Sequence, residues 1–277
     1  MAFQPQIPIG GLAGWRFLQR TQASQQEAFE QSPQLQRDID YFRETIATVS
    51  TAADLVADRR LLGVALGAFG LGDEIDKRAF IRKVLEEGTV EPRAFANRLT
   101  EPAFARMAEA FGFGNPGGAR TAEAGFSGKI IAAYKTRAFE IAVGEADDSM
   151  RLALNFRREI ADLAAGEGKS WFNVIGSKPL RTVIEKAYGL PAQFGQIDID
   201  QQRDVLRDRT SALFGGSDLT AFQDPEAVEK VISRFLARAQ LENGPFAGGA
   251  ASPALTLLQA ADGNPSQGLF NLLAARG

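Results

Sequence analysis

At 277 residues, 45% of them hydrophobic, the chain is long enough to bury a large core and too apolar to be disordered. Its 31 basic and 34 acidic residues are interspersed and sum to −3, so no basic face suited to a run of phosphates stands out, which argues against a nucleic-acid partner. There is no histidine and no cysteine, which removes the usual general base and metal ligand, the Ser-His-Asp relay, thiol nucleophiles, disulfides and common structural zinc sites.

The opening stretch, MAFQPQIPIGGLAGWRFLQR, lacks the charged and apolar regions of a cleaved signal peptide. Segment 1–31 combines Phe3, Ile7, Ile9, Leu12, Trp15, Phe17 and Leu18 with a Gln-rich, weakly charged helix. It reads either as ordinary core or as a docking element for a partner.

A first helical half spans 32–114. Ser32 and Pro33 suit the cap and first position of a helix whose stripe is Leu35, Ile39, Phe42, Ile46 and Val49. Thr51 and Asp54 stand in capping-box order and open a helix that carries Leu62, Leu66 and Phe69 and stops at Gly70. The apolar run at 61–72 is too short to cross a bilayer, so no membrane insertion is expected. Ile75, Ala79, Val84 and Leu85 mark the next helix, ended by Gly88, and Phe104, Met107, Ala108 and Phe111 the one after. The Gly/Pro-rich segment 112–118 reads as a boundary between subdomains.

A second helical half spans 119–243. Its first two helices carry Ile130, Ile131, Tyr134 and Ile141, then Met150, Leu154, Ile160 and Leu163. Short buried helices follow in SWFNVIG and PLRTVIEKAYGLP, and two longer ones complete the body, the last capped by Asp224 with Pro225 at its first position. Residues 244–277 read as a Gly/Pro linker, GPFAGGAASP, and two short apolar helices, ALTLLQAA and GLFNLLAA. No strand-type alternation is sustained anywhere. The fold class is therefore all-α: two related halves forming one bundle-like body, with short helical terminal segments.

An internal repeat supports the two halves. VALGAFGLG (64–72), RMAEAFGFG (106–114) and TVIEKAYGLP (182–191) each run apolar helix, Ala, aromatic, Gly, large apolar residue. This is the pattern of a helix stop, with glycine in the left-handed conformation and the next apolar residue folding back. YFRETIA (41–47) likewise pairs with NFRREIA (155–161), each about one helical hairpin before such a stop.

Three motifs invite a chemistry. Gly112, Gly114 and Gly117 spell G-x-G-x-x-G, but the dinucleotide fingerprint follows a strand, and here a helix precedes it. GEGKS (166–170) lacks the first glycine of a phosphate loop, since position 163 is Leu163. Asp198, Asp200 and Asp204 suggest calcium, yet Arg203 and Arg209 occupy the positions where an EF-hand loop needs glycine and glutamate. The sequence thus assigns no catalytic, cofactor-binding or metal-ligating residue, and no cofactor.

Asp40-Tyr41-Phe42, DRRLLGVALGAFGL (58–71), KRAFIRKVLEEG (77–88), MAEAFGFG (107–114), LNFRREI (154–160) and PLRTVIEKAYGLP (179–191), with Asp198 and Gln202 beyond, resemble a bacterial domain-of-unknown-function family, number twelve-seventeen. The resemblance covers roughly residues 38 to 240 and rests on packing and capping motifs. It implies an all-helical protein whose genes often sit among flagellar genes. The expectation is a non-enzymatic interaction protein of the flagellum or its assembly, with a flagellar protein partner. It would be cytoplasmic, or exported through the flagellar apparatus without a cleaved signal peptide. The alternatives are a cytoplasmic chaperone or regulator of flagellar assembly and, from another class, a carboxylate- or lysine-based enzyme.

Overall fold

A computed structural model describes residues 4–166 and 170–243. Among them are twelve α-helices and no strand: α1 (Gly11–Glu30), α2 (Pro33–Thr45), α3 (Ala52–Ala57), α4 (Arg59–Phe69), α5 (Arg78–Glu87), α6 (Pro102–Phe111), α7 (Phe126–Ala146), α8 (Asp148–Ala165), α9 (Trp171–Gly176), α10 (Lys178–Tyr188), α11 (Ile199–Phe214) and α12 (Pro225–Asn243). The fold is all-α.

Helix boundaries follow local chemistry. The hydroxyl of Thr51 accepts from the Asp54 N–H while the Asp54 carboxylate accepts from the Thr51 N–H, closing the capping box that opens α3. The helix does not run on to Gly70, however. Asp58 breaks it, accepting from the N–H groups of Arg60 and Leu61 to start α4. The stripe foreseen at Ile75 and Ala79 also shifts. α5 begins at Arg78, so Ala79 is exposed and Ile81 joins Val84 and Leu85 in the core.

The repeat is physical. Residues 51–71 and 170–190 match without a gap: an N-cap hydroxyl (Thr51, Ser170), a six-residue helix, an eleven-residue helix and a glycine stop. Gly70 and Gly189 have φ of 76° and 65°. In both stops the following leucine, Leu71 or Leu190, donates its N–H back to the carbonyl of Leu66 or Glu185 at 2.9 Å. This is the six-to-one bond of a Schellman motif.

Packing extends the duplication. α4 rests most extensively on α7, and α10 on α12. Arg137 of α7 lies beside Gly70, and Arg238 of α12 donates to the carbonyls of Lys186 and Ala187 just before Gly189. In each case a guanidinium meets the negative end of a helix. The units as packed are thus α2–α7 and α8–α12, each closed by a long helix.

Segment 112–118 consequently lies inside the first unit. Phe111 and Phe126, on either side of it, stack edge-to-face with ring centres 5.2 Å apart. One apolar core gathers residues from Leu35 to Ile131, and the other takes Phe139, Val143 and most of the buried apolar residues of α8 to α12. The change occurs within α7, which serves one core with each end. Ile141, foreseen on its buried stripe, is 52% exposed because Phe139 and Val143 face inward instead.

The described N-terminal segment is core in part, while Ile9 is 54% exposed. Trp15 and Leu18 are buried in the second core, and the Trp15 indole N–H donates to Glu229 of α12 at 3.1 Å. Arg157 of α8 stacks on the same ring and pairs with Glu229 at 2.7 Å. Residues 244–277, with the linker and helices expected there, lie outside the described residues, as does Phe3.

The stops can be ranked by what a side chain would meet. A Cβ on Gly70 would find only ordinary contacts, at 3.7 Å or more, whereas one on Gly112 would lie 2.6 Å from the Gly118 carbonyl. Gly70→Ala should therefore cost about 1–2 kcal/mol for its left-handed backbone alone. Gly112→Ala should cost measurably more, and urea unfolding of the two variants checks the order.

Candidate functional site

Where the two units face each other they enclose a cleft of about 600 Å³. Its walls are the end of α4 (Phe69 to Leu71), the start of α6 (Glu101 to Arg106), one face of α8 (Asp148 to Glu159) and the start of α10 (Ser177 to Thr182).

Its floor is ionic. Glu159 sits on the buried side of α8, one turn from Phe156 and next to Ile160. Three arginines reach it: Arg137 and Arg158 at 3.1 Å and Arg106 at 3.4 Å. Burial alone would raise the carboxyl of Glu159, but Arg106, Arg158 and Arg137 together hold it below the ordinary value. Arg158 also grips Glu140 with a two-pronged contact at 2.8 and 2.9 Å. Burial and the charge of Arg158 lower Arg137 somewhat, and its Nε has no hydrogen-bond partner.

Glu101 forms the opposite wall. It accepts from the Ala103 N–H at 3.2 Å to cap α6, and from the backbone N–H of Lys178 at the start of α10. One carboxylate thereby caps a helix of each unit. Burial is the largest influence on it and raises its carboxyl above the ordinary value. The Oδ1 of Asn155 is buried in the same cleft without a partner.

The charged groups of the floor therefore spend their bonding capacity on one another and on helix ends. Glu159 is held in its charged form by the three arginines. Glu101 alone has a carboxyl moved toward neutrality, yet it is committed to two backbone N–H groups. The cleft's ion pairs thus join helices of the two units.

The motifs singled out from sequence lie elsewhere. Gly112 ends α6 with φ of 73°. A Cβ on Gly114 would collide with the Glu86 carbonyl at the end of α5, and Gly117 faces open space. The loop amides of Asn115 and Gly118 donate to the carbonyls of Gly112 and Asn115, so they are not turned toward a phosphate. Asp198 caps α11, and Arg203 pairs with both Asp200 and Asp204. Among the described residues no group of three or more acidic side chains is placed to hold a metal ion. Most of GEGKS lies outside the described residues, and Ser170 caps α9.

The arginine–glutamate cluster is hidden from sequence because its members come from three helices, α6, α7 and α8. A signal is present in Glu159, which falls on the buried side of α8 beside Phe156 and Ile160.

The family model "Protein of unknown function (DUF1217)" matches residues 68–228, which hold every residue lining the cleft and its whole ionic floor. The chain belongs to this family. Its members share no stated activity, so membership carries the fold and the packing motifs. The X-ray crystal structure of a protein from Agrobacterium tumefaciens is 27% identical, with a TM-score of 0.72 over 87% of this chain and 100% of that one. No curated protein matches the chain.

Removing the charge of Glu159 leaves the largely buried guanidinium groups of Arg137 and Arg158, and the more exposed one of Arg106, short of a partner. Glu159→Gln should cost about 3 kcal/mol at neutral pH, the range for breaking a buried pair. Because the folded carboxyl titrates below its unfolded counterpart, this contribution is complete above the unfolded pKa and is lost as pH falls through the folded one. Urea titrations of both proteins should therefore converge in acid and diverge above the ordinary carboxylate range.

Proposed function

We propose that the protein is a non-enzymatic helical interaction protein associated with the bacterial flagellum or its assembly. The flagellar part rests on the family resemblance. The interaction part is supported by one comparison between the duplicated units.

Phe172, Ile197 and Ile199 are 39%, 40% and 49% exposed on the second unit. Phe172 is the second residue of α9, as Ala53 is of α3. Ile199 opens α11 as Arg78 opens α5, and Ile197 and Asp76 each stand two residues earlier. The fold is thus satisfied by alanine, aspartate and arginine at these places. Arg203 of α11 lies over the Phe172 ring at 5.5 Å, one turn beyond Ile199, which draws the exposed apolar groups together. Exposed apolar groups that gather into one patch mark a protein-contact surface.

A cytoplasmic chaperone or regulator of assembly would use the same surface, as would an exported component. Among the described residues no helix is long and apolar enough to cross a membrane. A carboxylate enzyme would instead depend on Glu101.

Phe172→Asp combined with Ile199→Asp should leave the melting temperature within a few degrees of wild type, since both side chains are surface groups. The same variant, expressed in the source bacterium, should lose co-purifying flagellar components and impair swimming. Unchanged motility after deletion of the gene overturns the flagellar reading. Unchanged partner recovery with the double variant overturns this surface.

A further inference from the structure

The duplication exposes an unfinished place on the second unit. In the first, the stop at Gly70 and Leu71, together with Asp73, forms one wall of the interunit cleft. The facing wall is α8, the helix that follows the closing helix α7. In the second unit, Gly189, Leu190, Pro191 and Ala192 form the corresponding wall of a groove of about 540 Å³. Its other described walls are α10 itself and the end of α12, including Leu241, which is 75% exposed. No described helix follows α12 to face them.

We propose that the groove beside Gly189 to Ala192 and Leu241 is the docking site for the chain's own segment 254–261, ALTLLQAA. The chain leaves α12 two residues beyond Leu241, at the rim of the groove. Thirty-four residues remain, 244–277, and only Asp262 and Arg276 among them are charged. The ten residues 244–253 span up to about 35 Å when extended, ample to bring the next segment back onto the groove. They are rich in Gly and Pro, whereas 254–261 carries Leu255, Leu257 and Leu258 and no charge.

The chemistry of the groove fits that segment. Leu190, Pro191, Ala192 and Leu241 offer an apolar rim. Glu185 contributes a buried Oε1 that has no hydrogen-bond partner and faces Arg181 only at 3.7 Å. Burial holds its carboxyl above the ordinary value despite Arg181. An uncharged segment with three leucines is suited to cover that rim. The inference stands apart from the flagellar reading and from the Phe172 surface.

The chain has no cysteine, so introduced pairs report contacts without interference. In the full-length protein, Ala192→Cys with Ala261→Cys should oxidise to an intramolecular disulfide. It should do so about tenfold or more faster than Ala79→Cys with Ala261→Cys, because docking raises the effective concentration. Adding Leu241→Asp should slow the first pair toward the second without lowering the melting temperature. Equal rates for the two pairs, or indifference to Leu241→Asp, overturn the proposal. Disulfide-linked dimers as the main product overturn it in favour of a second copy as occupant.

Discussion

A carboxylate shared by three arginines, Glu159, sets how the two units of this protein meet. Arg106 comes from α6, Arg137 from α7 and Arg158 from α8, so one buried charge fixes the mutual position of three helices. The apolar contacts along α7 and α8 would tolerate small slides, since dispersion is non-directional. Directed ion pairs tolerate them poorly, because each displacement leaves a buried charge unpaired. The cluster is weak evidence for net stability and better evidence for a single register.

That register matters because α7 is asked to do two things. Its first turns, with Phe126, Ile130 and Ile131, close the first core, while Phe139 and Val143 enter the second. A helix with different burial requirements at its two ends presents no single apolar stripe, and Lys135, Arg137 and Glu140 fall among its packed residues. The second unit resolves the same need differently. α12 closes it and ends, and α1 is recruited from the N-terminus to cover α12 through Trp15 and Leu18. One face of the N-terminal helix is thereby part of the core.

This explains which features were legible in the sequence. Helix stops are local: Gly70, Gly112 and Gly189 announce themselves through neighbours only one or two residues away, and all three have positive φ. The Thr51–Asp54 box is equally local, and so are the stripes of α2, α6 and α8. The cleft was not legible, because Glu101 caps α10 from a distance of 77 residues in sequence, and Arg106 meets Glu159 across 53. The misread positions, Ala79 and Ile141, share a cause. A stripe drawn from periodicity assumes one face per helix and one starting residue, and α5 starts late while α7 changes faces.

The duplicated architecture separates what a residue does for the fold from what it does for something else. Positions that match in burial between units, such as Leu55 and Val174, Val56 and Ile175, or Leu61 and Leu180, are answered fully by packing. Positions that diverge from polar to exposed apolar have no such answer, since the partner unit folds without them. By that criterion the cleft is mostly architecture. Its charges are matched internally, and it lies where the units must join. The surface around Phe172 and Ile199 passes the opposite test, for it bears exposed apolar groups where the first unit has alanine and arginine. The repeats thus separate positions that packing answers from positions that packing leaves open.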